Sequence, residues 1–250
     1  MTKIPVGIQL FSIREDCARD FPASLKAVAD MGYDGVEFAG YHGRSAPELR
    51  KLLDDLGLKC CGSHIGLDTL LGDALAPTIE FNLAIGNKYL VVPWIAEERR
   101  SSKDAWIRTA ALFNEIAEKL APHGLLVGYH NHSEEFALIE GKSGFDWFYS
   151  NTVPGVIMQL DTGNAIHGGA DPLDYLRRYA NAATTIHIKE YSASDPNAIV
   201  GSGDIDWAPY FEICESSGCT DWYIVEQESY AFPPLECIRL CREALLKMRR

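Results

Sequence analysis

The stretch "GLLVGYHNHSEEF", Gly124–Phe136, decides how the chain is read. Its apolar run, Leu125 to Tyr129, reads as a buried strand. The run ends in His130-Asn131-His132, and Glu134 and Glu135 follow. Titratable side chains crowd the point where a buried strand emerges. The arrangement suits a metal site, an acid–base site or a solvated strand end. If a metal binds, the residues alone leave open which of His130, His132, Glu134 and Glu135 holds it.

The same rhythm repeats along the chain. Short runs rich in Val and Ile predict strands at Val6–Leu10, Gly35–Phe38, Lys59–Ser63, Tyr89–Val92, Leu125–Tyr129, Val156–Leu160, Thr185–Ile188 and Trp222–Val225. Near-continuous apolar runs of this length suit parallel strands covered on both faces. Amphipathic segments lie between them. "APELRKLLDDLGL" follows Ser45, with Glu48 placed for a capping box. "DPLDYLRRYAN" opens on Asp171 as a cap with Pro172 at the first helical position. The helix that starts in "SSKDAW" is broken by Pro122 and Gly124, and a last helix spans about Leu235 to Met248. Eight strands alternating with eight helical segments in 250 residues predict a single α/β domain, residues 1–250, folded as a (β/α)8 TIM barrel. A doubly wound sheet would carry a glycine-rich fingerprint after its first strand, and "GIQLFSIRED" has none.

Composition narrows the function classes. A net charge of −12 argues against nucleic acid as a partner, since phosphate binding needs a basic stripe. There is no apolar run of transmembrane length. The N-terminal apolar stretch is interrupted by Gln9 and Ser12 and lacks a small-residue cleavage site, so it reads as a first strand rather than a signal peptide. A cytoplasmic protein is the expectation. The seven cysteines form no CxxC pair and read as small buried hydrophobes in a reducing compartment.

In a (β/α)8 barrel the chemistry sits at the C-terminal strand ends. Here those ends present Gln9 and Arg14, Glu37 and His42, His64, Trp94, the opening stretch, Asp161 and Asn164, His187 and Lys189, and Glu226 and Glu228. Taken singly, each has a plain reading. His187 fits a satisfied core histidine, Asp161 a loop cap and Glu226 a solvated strand end. Buried carboxylates and imidazoles are costly unless paired or coordinated. Four of them on consecutive ends point to a divalent metal centre.

The motifs "GVEF", "GSHIG", "GYHNHSEEF", "LDTGN", "IHIKEY", "GSGDIDW" and "IVEQE", in this order, resemble the xylose-isomerase-like TIM barrels. That group includes sugar-phosphate isomerases, ketose 3-epimerases and inosose dehydratases, and the resemblance runs the whole length. It implies one divalent cation, Mn2+ foremost with Mg2+, Co2+ or Zn2+ as variants, held by residues from strands five to eight. Asp161, His187 and Glu226 match three of the ligands. Many relatives carry the remaining glutamate where this chain has His130. The branch with "His-Asn-His", similar to inosose dehydratases, places it a few residues later, which implies Glu135. By the same resemblance Glu135 and Glu226 are the catalytic acid–base pair. Glu37, His64, His130, His132, Asn164, Lys189 and Trp94 are the expected substrate contacts. The implied activity is isomerisation or epimerisation of a sugar or sugar phosphate through proton transfer next to a carbonyl. Dehydration of an inosose on the same site is the alternative, and a non-catalytic sugar-binding barrel the second. The expected partner is a small sugar or cyclitol, without nucleic acid or membrane, and a homo-oligomer is compatible with the sequence.

Overall fold

A computed structural model of the chain describes residues 3–249. Eight parallel strands close into a barrel in sequential order. They are β1 Val6–Gln9, β2 Gly35–Ala39, β3 Lys59–His64, β4 Tyr89–Val92, β5 Leu126–His130, β6 Val156–Asp161, β7 Thr185–Ile188 and β8 Trp222–Val225. The strands lie where the apolar runs predict them. Their C-terminal ends differ in a telling way: β3, β5 and β6 each extend to take in a polar residue, His64, His130 and Asp161. A polar residue stays in register when its side chain faces a polar interior, so the strands outlast their apolar runs.

The helices cover the outer face. The helix Ala46–Leu56 has the expected capping box, with the Ser45 N–H donating to Glu48 at 2.8 Å. Asp171 caps Pro172–Arg178 by accepting from the Leu173 N–H at 2.9 Å. The helix Lys103–Leu120 stops before Pro122, and Pro234–Met248 closes the chain. Additional short helices follow β1 at Arg14–Arg19 and β6 at Thr162–His167, and a small hairpin pairs Leu138–Ile139 with Lys142–Ser143. Six of the cysteines are buried and Cys219 is half-buried, all as free thiols. No helix of the described residues is long and apolar enough to cross a membrane.

Alternation along the strands sorts every residue to the interior or to the helix side. On β5, Gly128 and His130 face in, while Tyr129 faces out and packs on Trp106, Phe113 and Phe148. Paired parallel residues share a face, so the register His130↔Gln159, Asp161↔His187, Ile224↔His187 and Gln9↔Glu37 defines the interior set. The lower part of that interior is apolar: Cys61, Tyr89, Val91, Ile157, Trp222 and Ile224 form their own cluster. The upper part is polar. Gln9, Glu37, His130, Gln159, Thr185 and His187 are all buried there, each at 1% exposure or less.

Candidate metal centre and substrate cavity

Four buried side chains converge at the top of the barrel. His130 from β5, Asp161 from β6, His187 from β7 and Glu226, just past β8, each offer a ligand atom, and these atoms lie within 4.8 Å of one another. His64 from β3 forms a second group of the same kind with His130 and His187. Two bracing contacts hold the quartet. Asn131 joins the ends of β5 and β6: its Oδ1 accepts from the Asp161 N–H at 2.9 Å and its Nδ2 donates to the Asp161 carbonyl at 3.1 Å. The Asn164 N–H donates to Asp161 Oδ1 at 2.7 Å, so Asp161 also caps the helix that follows it.

The other oxygen of Asp161, Oδ2, is the one buried side-chain atom of the quartet without a hydrogen-bond partner among the described residues. It lies 3.8 Å from His187 Nδ1. An unsatisfied buried carboxylate oxygen carries a desolvation penalty of about 1–3 kcal/mol or more. A cation held among these four groups removes that penalty, so the residues present fit a divalent metal ion.

The electrostatics are those of a site arranged for positive charge. His187 is pushed up to about 10: burial alone would lower it, but Glu37 and Glu226 on either side outweigh burial. Glu226 is held well below the usual carboxylate range, because Lys189 and His187 outweigh its burial. Asp161 is raised to about 7, chiefly by burial with Glu226 adding to it, against the pull of Lys189 and His187. Burial and the neighbouring His187 press His130 well below the ordinary histidine value, which keeps it neutral and its lone pair free.

Two cavities meet at Glu226 and Glu228. The larger, about 510 Å³, is lined by Gln9, Phe11, His64, Trp94, His130 and His132 among others. The smaller, about 330 Å³, is lined by Asn164, Lys189, Glu190 and Tyr191. Lys189 stands between them, paired to Glu228 and with Nζ 3.6 Å from Glu226 Oε1. Trp94 is 59% exposed and forms an open apolar wall. Of the expected substrate contacts, His64, His130, His132, Trp94, Asn164 and Lys189 therefore border a cavity.

Two residues stand elsewhere than the sequence reading puts them. Glu135 belongs to a short turn, Glu134–Phe136, past the rim. Its oxygens accept from the Tyr129 hydroxyl at 2.8 Å and the His132 N–H at 2.7 Å. Because Tyr129 points to the helix side, Glu135 is drawn out of the interior, and His130 occupies the inward position beside the other three. Glu37, expected as a hydroxyl acceptor, is wholly buried and borders neither cavity. Burial would raise it, but His64 and His187 hold it lower than an ordinary glutamate. His42 stacks on Phe21, with ring centroids 4.6 Å apart, away from the quartet. Gln9, Asn131 and Gln159 carry structural roles that the strand-end reading did not assign. The signal was present in Gln159, an amide inside the apolar run "VIMQLD" and two positions before Asp161 on the same face.

Residues 25–245 match the family model for the xylose isomerase-like TIM barrel. The chain belongs to that family. It is 24% identical over 246 residues to an inosose dehydratase of Geobacillus kaustophilus (strain HTA426), covering 82% of this chain and 79% of the relative. Among solved structures, it is similar to a sugar phosphate isomerase/epimerase from Parabacteroides distasonis ATCC 8503. That match has a TM-score of 0.84 at 24% identity and covers 98% of each chain. It also superposes on an L-ribulose 3-epimerase with a TM-score of 0.71 at 18% identity, covering 98% of this chain and 94% of that one.

Proposed function

We propose that the protein is a divalent-cation-dependent sugar isomerase or epimerase that moves a proton on the carbon next to a carbonyl. The observation that carries this reading is the unpartnered Asp161 Oδ2, buried among His130, His187 and Glu226 under two open cavities. His130, Asp161, His187 and Glu226 would hold the cation. Two imidazoles and two carboxylates suit Mn2+, Co2+ or Zn2+ better than a site made of oxygen ligands alone would. When bound, such a cation polarises a carbonyl oxygen and its neighbouring hydroxyl.

The chain's own groups divide the remaining work. Glu226 reaches both cavities and is held ionised, so it is the carboxylate placed to accept a proton from substrate. Lys189, whose ammonium is stabilised by Asp161, Glu226 and Glu228 against its burial, faces the smaller cavity as a fixed positive charge for the oxygen that gains electron density. His64 and His132 border the larger cavity as hydroxyl contacts, and Trp94 walls the apolar side of the sugar. Glu135 borders neither cavity and serves to hold the His130–His132 turn.

Dehydration of a cyclic keto-polyol is the second reading, favoured by the inosose dehydratase among the relatives. Both begin with the same proton abstraction and diverge only in whether a β-hydroxyl leaves. Incubation with Mn2+ in deuterated water, with ketoses, aldoses and inososes, separates them by proton NMR. Deuterium next to the carbonyl without loss of water supports epimerisation or isomerisation, and an unsaturated product supports dehydration. Stoichiometric Mn2+ with no exchange on any substrate would contradict both.

A further inference from the structure

Beneath the quartet lies a hydrogen-bond network whose centre, Glu37, has no part in the proposed chemistry. Glu37 Oε1 accepts from Gln159 Nε2 at 2.7 Å. Its Oε2 faces Gln9 Nε2 at 2.7 Å, His187 Nε2 at 2.7 Å and His64 Nε2 at 3.2 Å. Gly62 of β3 is what lets the carboxylate lie there, since a side chain at that position would overlap Glu37 Oε1.

An ionised carboxylate only accepts hydrogen bonds, so every group facing it must donate. That single constraint propagates. The amide nitrogen of Gln159 must face Glu37, and its second hydrogen goes to Thr185 Oγ1 at 3.1 Å. The carbonyl oxygen of Gln159 is then turned to His64 Nε2 at 2.6 Å and His130 Nδ1 at 3.1 Å. Both of those ring nitrogens face an acceptor that cannot donate, so both must carry a proton. His187 Nε2 must carry one for the same reason.

We infer that Glu37 is a positioning residue that, through Gln159, sets the ring tautomers of His64 and His130 and directly holds a proton on His187 Nε2. His130 is the Nδ1–H form, which leaves Nε2 as its lone-pair nitrogen. His64 is the Nε2–H form. His187 keeps its proton on Nε2 and, while the site holds no cation, also donates from Nδ1 to Glu226, with Asp161 Oδ2 3.8 Å away. Where the proposed metal site is correct, a cation meets His130 through Nε2 and His187 through Nδ1. The tautomer assignment for His64 and His130 stands without any metal.

Long-range proton–nitrogen NMR on 15N-histidine-labelled, metal-free protein reads the tautomers directly. The expected result is neutral His130 protonated at Nδ1, neutral His64 protonated at Nε2, and a proton on His187 Nε2. A neutral His130 protonated at Nε2 would overturn the inference, whatever the metal measurements show. In Glu37→Gln the new amide can donate, Gln159 can flip, and the His130 tautomer should become mixed. Mn2+ affinity should fall roughly 10–100-fold, the range for loss of a partner that orients a metal-bound histidine. Glu135→Gln, which leaves the network intact, should change neither reading. Unchanged tautomers in a folded Glu37→Gln protein would overturn the inference, and failure of the wild type to bind Mn2+ would fall on the proposed function instead.

Discussion

The two halves of the barrel interior are built on the same eight strands and do opposite things. On β6, Ile157 belongs to the apolar lower cluster, while Gln159 and Asp161, two and four residues on, belong to the polar upper half. Ile224 of β8 belongs to the lower cluster, and Glu226, just past the strand's end, to the quartet. A step of two residues, about 6.6 Å along a strand, moves a side chain from one chemistry to the other without changing its face. The lower half gains stability by removing apolar surface from water. The upper half gives some of it up. It buries Glu37, Asp161 and Glu226 with His130 and His187 beside a half-buried His64, and leaves one carboxylate oxygen unsatisfied. The contrast is what supports the proposal that the upper half, poorly optimised for folding alone, is the functional one.

Substitutions can break this contrast, and the largest effect belongs to the upper half. Asp161→Ala should abolish stoichiometric Mn2+ binding by isothermal titration calorimetry. It should also lower turnover by roughly 10³-fold, as expected when several kcal/mol of charge stabilisation is lost at about 1.4 kcal/mol per decade. In the lower half, Ile157→Ala, four residues below Asp161, should cost about 2–5 kcal/mol of stability in urea denaturation. Its Mn2+ affinity should remain within about threefold of wild type while the protein is folded. Loss of Mn2+ binding in a folded Ile157→Ala protein would erase the division between the halves.

Acidity should act on the upper half alone. His187 is raised to about 10 by Glu37 and Glu226 against its burial, so at neutral pH a proton occupies the position a cation needs. The ring must release that proton to coordinate. Cation affinity should therefore fall as pH falls, by about tenfold per unit for one displaced proton. Proton release measured by calorimetry in buffers of different ionisation enthalpy checks the sign. The smallest effect is on stability. Asp161→Asn keeps the cap on Asn164 and removes a buried charge, so the metal-free variant should melt about 2–4 °C higher while losing the cation. A lower melting temperature would mean that Asp161 is not under strain.

Much of the fold was legible in the residues, because each strand is an apolar run bounded by a helix start. The convergence of Asp161, His187 and Glu226 at one end of the barrel was legible for the same reason: each sits at or near the end of such a run. The choice between His130 and Glu135 was harder. It depends on which way Tyr129 turns, and the outward pocket that draws Tyr129 in, Trp106, Phe113 and Phe148, is made by the helices before and after β5, Lys103–Leu120 and Gly144–Tyr149. Counting alternate residues back from His130 to Gly128 would have placed His130 inside. Glu37 was legible as a strand-end residue but its hydrogen-bond partners were not, since Gln9, Gln159 and His187 come from three other strands.

The central claim is that the quartet at the top of the barrel is a cation site with His130, not Glu135, as its β5 member. Mn2+ titration of metal-free wild type, His130→Ala and Glu135→Gln tests it in one calorimetric series. The account predicts one Mn2+ per chain in the wild type and in Glu135→Gln, and a loss of at least about tenfold in affinity in His130→Ala. Retained binding in His130→Ala together with lost binding in Glu135→Gln would contradict it.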